Sequence, residues 1–160
     1  MKILFLCTGN ICRSPMAEAL ARKLLDEKGR SDIEVSSAGT AAAVGSPASE
    51  GAYLVGMEKG LDLSAHTARQ VTEALIDDAD LVLGMSLPHV QRAQMMRGRD
   101  KSYLLGAFAG EDRDHAEVED PYGGDLDDYR NTYIQLESLL TAAIGRIVRE
   151  NDARAQAGDE

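Results

Sequence analysis

The segment Lys2-Ile3-Leu4-Phe5-Leu6-Cys7-Thr8-Gly9-Asn10-Ile11-Cys12-Arg13-Ser14-Pro15 changes character twice. Lys2 to Leu6 is a short apolar run without polar alternation, the pattern of a strand buried on both faces of a parallel sheet. Cys7 to Asn10 extend neither a strand nor a helix comfortably, so the chain turns there. From Ser14-Pro15 onward, apolar residues recur at Met16, Leu20, Leu24 and Leu25, with a proline in the first turn and Gly29 at the far end. This spacing predicts a helix of about 14 residues. Strand, irregular loop and helix together open a βαβ unit.

The same alternation continues down the chain. Ile33 to Ala38 predicts a second strand, and Gly45-Ser46-Pro47 predicts a helix through Lys59 with Ser46 as its N-cap. A helix is expected over Thr72 to Asp77, a third buried strand over Asp80 to Gly84, a helix over Ser86 to Arg97 and a fourth strand over Lys101 to Leu105. Asp125 to Glu150 carries Leu126, Tyr129, Tyr133, Leu136, Leu140, Ile144 and Ile147 on one helical face. Met85, Met95 and Met96 read as core residues, and the Asp-Asp pairs at 77–78 and 127–128 as solvated. The fold class is α/β: a three-layer, four-stranded parallel twisted sheet with helices on both faces and a phosphate-binding loop after strand 1. One domain is expected over residues 1–150, with 151–160 a flexible tail. Gly106 to Gly124 has no periodicity and is long for a connection, which marks it as functional.

Composition narrows the chemistry. At 160 residues and 44% hydrophobic, the chain can build a core without disulfide or metal staples. Cys7 and Cys12 are too few and too close for a secreted disulfide framework, and three scattered histidines lack zinc-ligand spacing. We therefore expect no metal and no cofactor, and a reducing, cytoplasmic setting. No apolar run approaches the ~18 residues that span a bilayer, so no membrane partner is expected. A net charge of −10 repels polyanions and argues against nucleic acid. A small anion held at one focused positive site is compatible with that field.

The loop Cys7 to Ser14 supplies such a site. Lying between a strand end and a helix start, its backbone N–H groups can curl around an anion backed by the helix N-terminus. Gly9 and Asn10 are the residue types that tolerate positive φ, which converging amides require. Thr8, Ile11 and Cys12 complete the ring, and Arg13 offers a planar fork for two oxygens of a tetrahedral dianion. A thiol among amides, an arginine and a helix N-terminus sheds its proton more readily than a free thiol, which makes Cys7 a nucleophile. Ser14 is placed to donate a hydrogen bond to the sulfur.

With its neighbours Pro15-Met16-Ala17-Glu18, this Cys-x5-Arg loop resembles that of the low-molecular-weight protein tyrosine phosphatases. The likeness extends in order through Ser36-Ser37-Ala38-Gly39, Leu63-Ser64-Ala65-His66-Thr67-Ala68-Arg69-Gln70, Ala79 to Met85 and Glu119-Asp120-Pro121-Tyr122-Gly123. It implies metal-free catalysis on a phosphorylated protein through a phosphocysteine on Cys7. Arg13 and the loop amides hold the phosphoryl oxygens, and Asp120 is the general acid. A carboxylate that protonates the leaving group and then activates water suits both half-reactions, and Pro121 biases Asp120 toward an extended backbone. Asp114, Glu117 and Glu119 are the nearby alternatives. The resemblance further implies structural roles for Ser37, Asn10 and His66 beneath the loop. Cys12 is implied as a resolving thiol, dispensable for hydrolysis. His89 and His115 read as surface residues.

Two wall features separate substrates. Ile11 resembles the tyrosine-phosphatase branch, whereas a threonine there typifies the protein-arginine phosphatases. Tyr122-Gly123-Gly124 and Thr40-Ala41-Ala42-Ala43-Val44, with no second aromatic, resemble the arginine branch and leave Tyr122 as the stacking wall. Ile11 lies inside the cradle and weighs more, so phosphotyrosine is the expected substrate and phosphoarginine the alternative. Thioredoxin-coupled arsenate reduction would need cysteines after Cys12, and a purely phosphate-binding module would not need Cys7, Arg13 and Asp120 together. The chain is expected to act as a monomer.

Overall fold

The computed structural model describes residues 1–112 and 116–158. Strands β1 (Lys2–Cys7), β2 (Glu34–Gly39), β3 (Leu81–Gly84) and β4 (Ser102–Leu104) form one parallel sheet in the order β2-β1-β3-β4. Helices α1 (Arg13–Glu27), α2 (Glu50–Glu58), α3 (Glu73–Asp78), α4 (Leu87–Ala93), α5 (Leu105–Phe108) and α6 (Leu126–Gly158) connect and cover it. Among the described residues no helix is long and apolar enough to cross a membrane.

β1 shows why both faces must be covered. Its odd residues Ile3, Phe5 and Cys7 enter one apolar cluster with Met16 and Leu20 of α1, Val55 of α2, and Leu136, Leu140 and Ile144 of α6. Its even residues Leu4 and Leu6 enter a second cluster with Ile76 of α3, Val82 and Ala93. Each such side chain, removed fully from water, contributes roughly 1.5–3 kcal/mol before entropy is counted. Because β1 neighbours both β2 and β3, the sheet's strand order reverses there, and ligands collect at the carboxyl ends of strands at such a point. Cys7 to Ser14 leaves the sheet at that place.

Several local expectations are corrected. The second helix begins at Glu50 with Ser49 as its cap, accepting from the Ala52 amide. Ser46 instead accepts from the Ala68 amide through its carbonyl, and Gly45 donates to the Ala68 carbonyl, so this stretch is held by a neighbouring loop and not by the helix. The helix after β3 ends at Ala93 and widens into a π turn over Gln94–Gly98, with Arg97 left-handed at φ 74°. That turn throws Met95 out, 82% exposed, while Met85 is buried and Met96 packs partly against the second cluster. Leu105 starts α5 and does not extend β4, so the segment taken as aperiodic opens with a short helix. Leu126 sits at the exposed start of α6, outside the buried face formed by Tyr129, Tyr133, Leu136, Leu140, Ile144 and Ile147. The boundary drawn at residue 150 falls inside α6, which runs on to Gly158 and pairs Asp152 with Arg30 at 2.9 Å.

Gly39, at the end of β2, fixes how closely the loop approaches the sheet. It pairs with Cys7, and a Cβ there would lie 2.5 Å from the Thr8 carbonyl oxygen and 3.0 Å from the Asn10 nitrogen. Both are backbone atoms that cannot swing aside. Gly39→Ala is expected to lower stability by about 1–3 kcal/mol in urea unfolding. Wild-type stability in that variant would contradict the close packing of loop against strand.

Candidate active site

The bowl begins where β1 stops. Asn10, fully buried, takes a left-handed conformation at φ 57° in the loop between β1 and α1. Its side chain holds that turn from three directions: Nδ2 donates to Ser14 Oγ and Ser37 Oγ, each at 2.9 Å, and Oδ1 accepts from the Arg69 amide at 3.0 Å. His66 Nε2 lies 2.7 Å from the Asn10 carbonyl oxygen, to which it donates. Ser37, Asn10 and His66 thus meet beneath the loop.

Cys7 ends β1 with its Sγ 2.8 Å from Ser14 Oγ and 3.3 Å from the Asn10 amide nitrogen, which donates to it. These are contacts that an anionic sulfur accepts. Arg13, 4% exposed, is the first residue of α1. Its Nη1 donates to Ser86 Oγ at 3.0 Å and to the Val118 carbonyl at 3.1 Å, while Nη2 lies 3.5 Å from Asp120 Oδ2. One edge of the guanidinium is therefore braced by the scaffold and the other meets the carboxylate. Asp120 is half exposed, and its Oδ1 accepts from the Tyr122 amide at 3.1 Å.

These side chains line a cavity of about 280 Å³ with Thr8, Gly9, Ile11, Cys12, Ala41, Ala43, Ser46 and Tyr122. Tyr122 is 70% exposed and stands as a wall at the rim. Of the alternative carboxylates, Glu117 accepts from the Leu87 amide and, like Glu119, is not part of this lining; Asp114 lies outside the described residues. A larger groove of about 430 Å³ lies at the amino ends of β3 and β4 against α6, lined by Met1, Lys101, Tyr103 and Arg146, and it holds neither cysteine nor histidine. Among the described residues no three His, Cys, Asp or Glu side chains gather as a metal site would require.

The chain belongs to the low molecular weight phosphotyrosine protein phosphatase family. That family's model matches residues 2–153. The chain is 41% identical over 142 residues to the protein-arginine-phosphatase of Bacillus subtilis, covering 88% of this chain and 92% of that protein. It is 38% identical over 139 residues to the low molecular weight protein-tyrosine-phosphatase Wzb of Escherichia coli K12, covering 84% and 87% respectively. The solved structure of the YwlE arginine phosphatase, a cysteine-to-serine mutant with a phosphorylated active site serine, superposes with a TM-score of 0.84 at 37% identity over 92% of this chain and 95% of that one.

The two cysteines have different surroundings. Cys12 is buried, with Sγ 3.2 Å from Ser49 Oγ and 3.4 Å from Tyr129 Oη. Burial pushes its thiol up, only partly offset by those hydroxyls, and burial also pushes Tyr129 up to about 12. Both stay protonated at neutral pH.

His89, expected at the surface, is 3% exposed; His115 lies outside the described residues. The His89 ring closes the first turn of α4, where Nδ1 accepts from the Ser86 amide at 3.0 Å and Nε2 lies 2.9 Å from Thr8 Oγ1. Gly84 makes room for that turn, since a Cβ there would lie 3.1 Å from His89 Cβ. Ser86, His89, Ser49 and Tyr129 are the surrounding residues that sequence reasoning missed. The available signal was Ser86-x-x-His89, a capping-box spacing with histidine in place of the usual Glu or Gln.

Burial, reinforced by Arg13 and opposed by Asp120 and Glu117, pushes His89 down to about 4 from an ordinary 6.5. The unfolded chain therefore takes up this proton first, so its contribution to stability is present above pH 6.5 and is lost as pH falls toward 4. Between pH 7 and pH 5 this one group costs on the order of 2 kcal/mol. His89→Gln should lose less stability than wild type over that interval in urea unfolding. An equal loss in both proteins would contradict a buried neutral imidazole.

Proposed function

We propose that this protein is a protein-tyrosine phosphatase that works through a phosphocysteine on Cys7. The observation that carries the reading is that Cys7, Arg13 and Asp120 line one cavity, with the Asn10 amide donating to Cys7 Sγ and the Arg13 guanidinium braced by Ser86. The phosphorylated active site serine of the YwlE mutant supports the same position as the point of phosphoryl attachment.

In the first half-reaction the Cys7 thiolate attacks phosphorus while Arg13 and the loop amides other than that of Asn10 take the equatorial oxygens. The bond from phosphorus to the tyrosyl oxygen breaks, and protonated Asp120 delivers its proton to that oxygen. In the second, the Asp120 carboxylate takes a proton from water as its oxygen attacks phosphorus. The sulfur–phosphorus bond breaks and the thiolate is restored. Positioning and charge stabilisation by Arg13 and the amides supply most of the rate, as phosphoryl transfer requires. Ser37 and His66 act by holding the loop. The reading places the protein in the cytoplasm, where a nucleophilic thiol stays reduced, and takes the active unit as a monomer. It assigns no role to metal, cofactor, membrane or nucleic acid.

Ile11 lines the cavity and favours an apolar aryl group beside the phosphate. A second reading, phosphoarginine, is supported by Ala41 and Ala43 in place of an aromatic wall and by the 41% identity to a protein-arginine-phosphatase. A comparison of phosphotyrosine and phosphoarginine peptides decides between them. Wild type should favour phosphotyrosine in kcat/KM by roughly 10-fold or more, and Ile11→Thr should narrow or reverse the ratio. A wild-type preference for phosphoarginine would replace the first reading with the second, with Cys7 chemistry unchanged.

A further inference from the structure

The residue that follows the nucleophile carries a hydroxyl, and the structure determines which way that hydroxyl can donate. Thr8 Oγ1 offers one hydrogen and can accept two. Because the Ser86 amide donates to Nδ1 of His89, that nitrogen presents its lone pair and the ring hydrogen resides on Nε2. The 2.9 Å contact from Nε2 to Thr8 Oγ1 is therefore a bond that Thr8 accepts. No other hydrogen bond of Thr8 Oγ1 is formed among the described residues, and Thr8 lines the cavity beside Cys7 and Arg13. Its own hydrogen is therefore not used by His89 and is available to donate.

We propose that His89 is a positioning residue that makes the Thr8 hydroxyl an additional donor to the phosphoryl oxygens, beyond the loop amides and Arg13. The ring is not part of the cavity lining and occupies an acceptor lone pair, so the hydroxyl cannot spend its hydrogen on His89. Through its other nitrogen the same ring anchors Ser86, whose Oγ accepts from Arg13 Nη1 at 3.0 Å. One buried imidazole thus touches both the residue after the nucleophile and the brace of the arginine. Acidic side chains cannot substitute for it: a carboxylate at 89 would accept from Thr8 and turn the hydroxyl away from the bowl. The inference rests on the bowl holding a phosphoryl group, and it is independent of whether tyrosine or arginine carries that group.

The test measures orthovanadate affinity and kcat/KM for p-nitrophenyl phosphate in Thr8→Val, Thr8→Ser, His89→Leu and the double variant Thr8→Val/His89→Leu, with His89→Gln as the conservative change. Thr8→Val should weaken vanadate binding about 10-fold, the usual effect of losing one donor to a charged acceptor, and Thr8→Ser should restore it. His89→Leu should weaken it in the wild-type background at least about 5-fold more than in the Thr8→Val background, the coupling expected of residues acting in series. His89→Gln, which can both accept from Ser86 and donate to Thr8, should recover most of the loss. Additive losses in the double variant, or wild-type affinity in Thr8→Val, would overturn the proposal. If His89→Leu does not fold, His89→Met, which likewise cannot donate to Thr8, takes its place in both backgrounds with the same expectations. A wild-type protein that neither binds vanadate nor hydrolyses p-nitrophenyl phosphate would instead overturn the phosphatase reading itself, and this inference with it.

Discussion

The left-handed backbone of Asn10 is the constraint from which the rest of the site follows. Between the end of β1 and the start of α1, one residue at φ 57° takes a conformation that L side chains rarely adopt, and its amide donates to Cys7 Sγ. Such a conformation costs of order 1–3 kcal/mol in a non-glycine residue and persists only where the surroundings impose it. Ser14, Ser37, Arg69 and His66 do so, saturating the side chain and the carbonyl of a residue with no exposure to water. The same bonds place Ser14 against Cys7 Sγ. Loop shape and sulfur environment are therefore one feature.

Electrostatics then acts locally. The chain as a whole is strongly acidic, yet the cavity's cation is buried Arg13, held by Ser86 and the Val118 carbonyl. A buried guanidinium braced on one side by neutral partners, with a half-exposed carboxylate 3.5 Å from the other, is screened by water less than one on the surface. Asp120, half exposed, has the access to water that its proposed part as acid and base needs. Cys12, only five positions from Cys7, meets hydroxyls and apolar walls instead and stays a thiol. In the proposed mechanism the two sulfurs differ in role through their partners, not through their sequence neighbourhood.

What the sequence discloses and what it hides follow from the range of the interactions. β1 and α1 are legible because burial on both faces and helical spacing are local signals, and the loop between them carries its own chemistry in Gly9, Asn10 and Arg13. Asp120 is legible only through family resemblance, because its link to Arg13 spans over a hundred residues and one acid among many has no local mark. Ser46 looks as good a cap as Ser49; the contact with Ala68 that removes it from the helix is tertiary. Met95 fits a helical core pattern until the π turn shifts the phase. His89 reads as a surface histidine because its second partner, Thr8, lies 81 positions away.

The central claim is that the Cys7 sulfur, held at the floor of this amide bowl, bonds to phosphorus during turnover. Rapid quenching of the enzyme with a phosphotyrosine peptide in denaturant, followed by mass spectrometry of the peptide containing Cys7, tests it directly. The account expects a phosphoryl group on Cys7 that forms and decays at rates consistent with turnover. Steady turnover with no phosphoryl group on Cys7, or with the group on another residue, would contradict it.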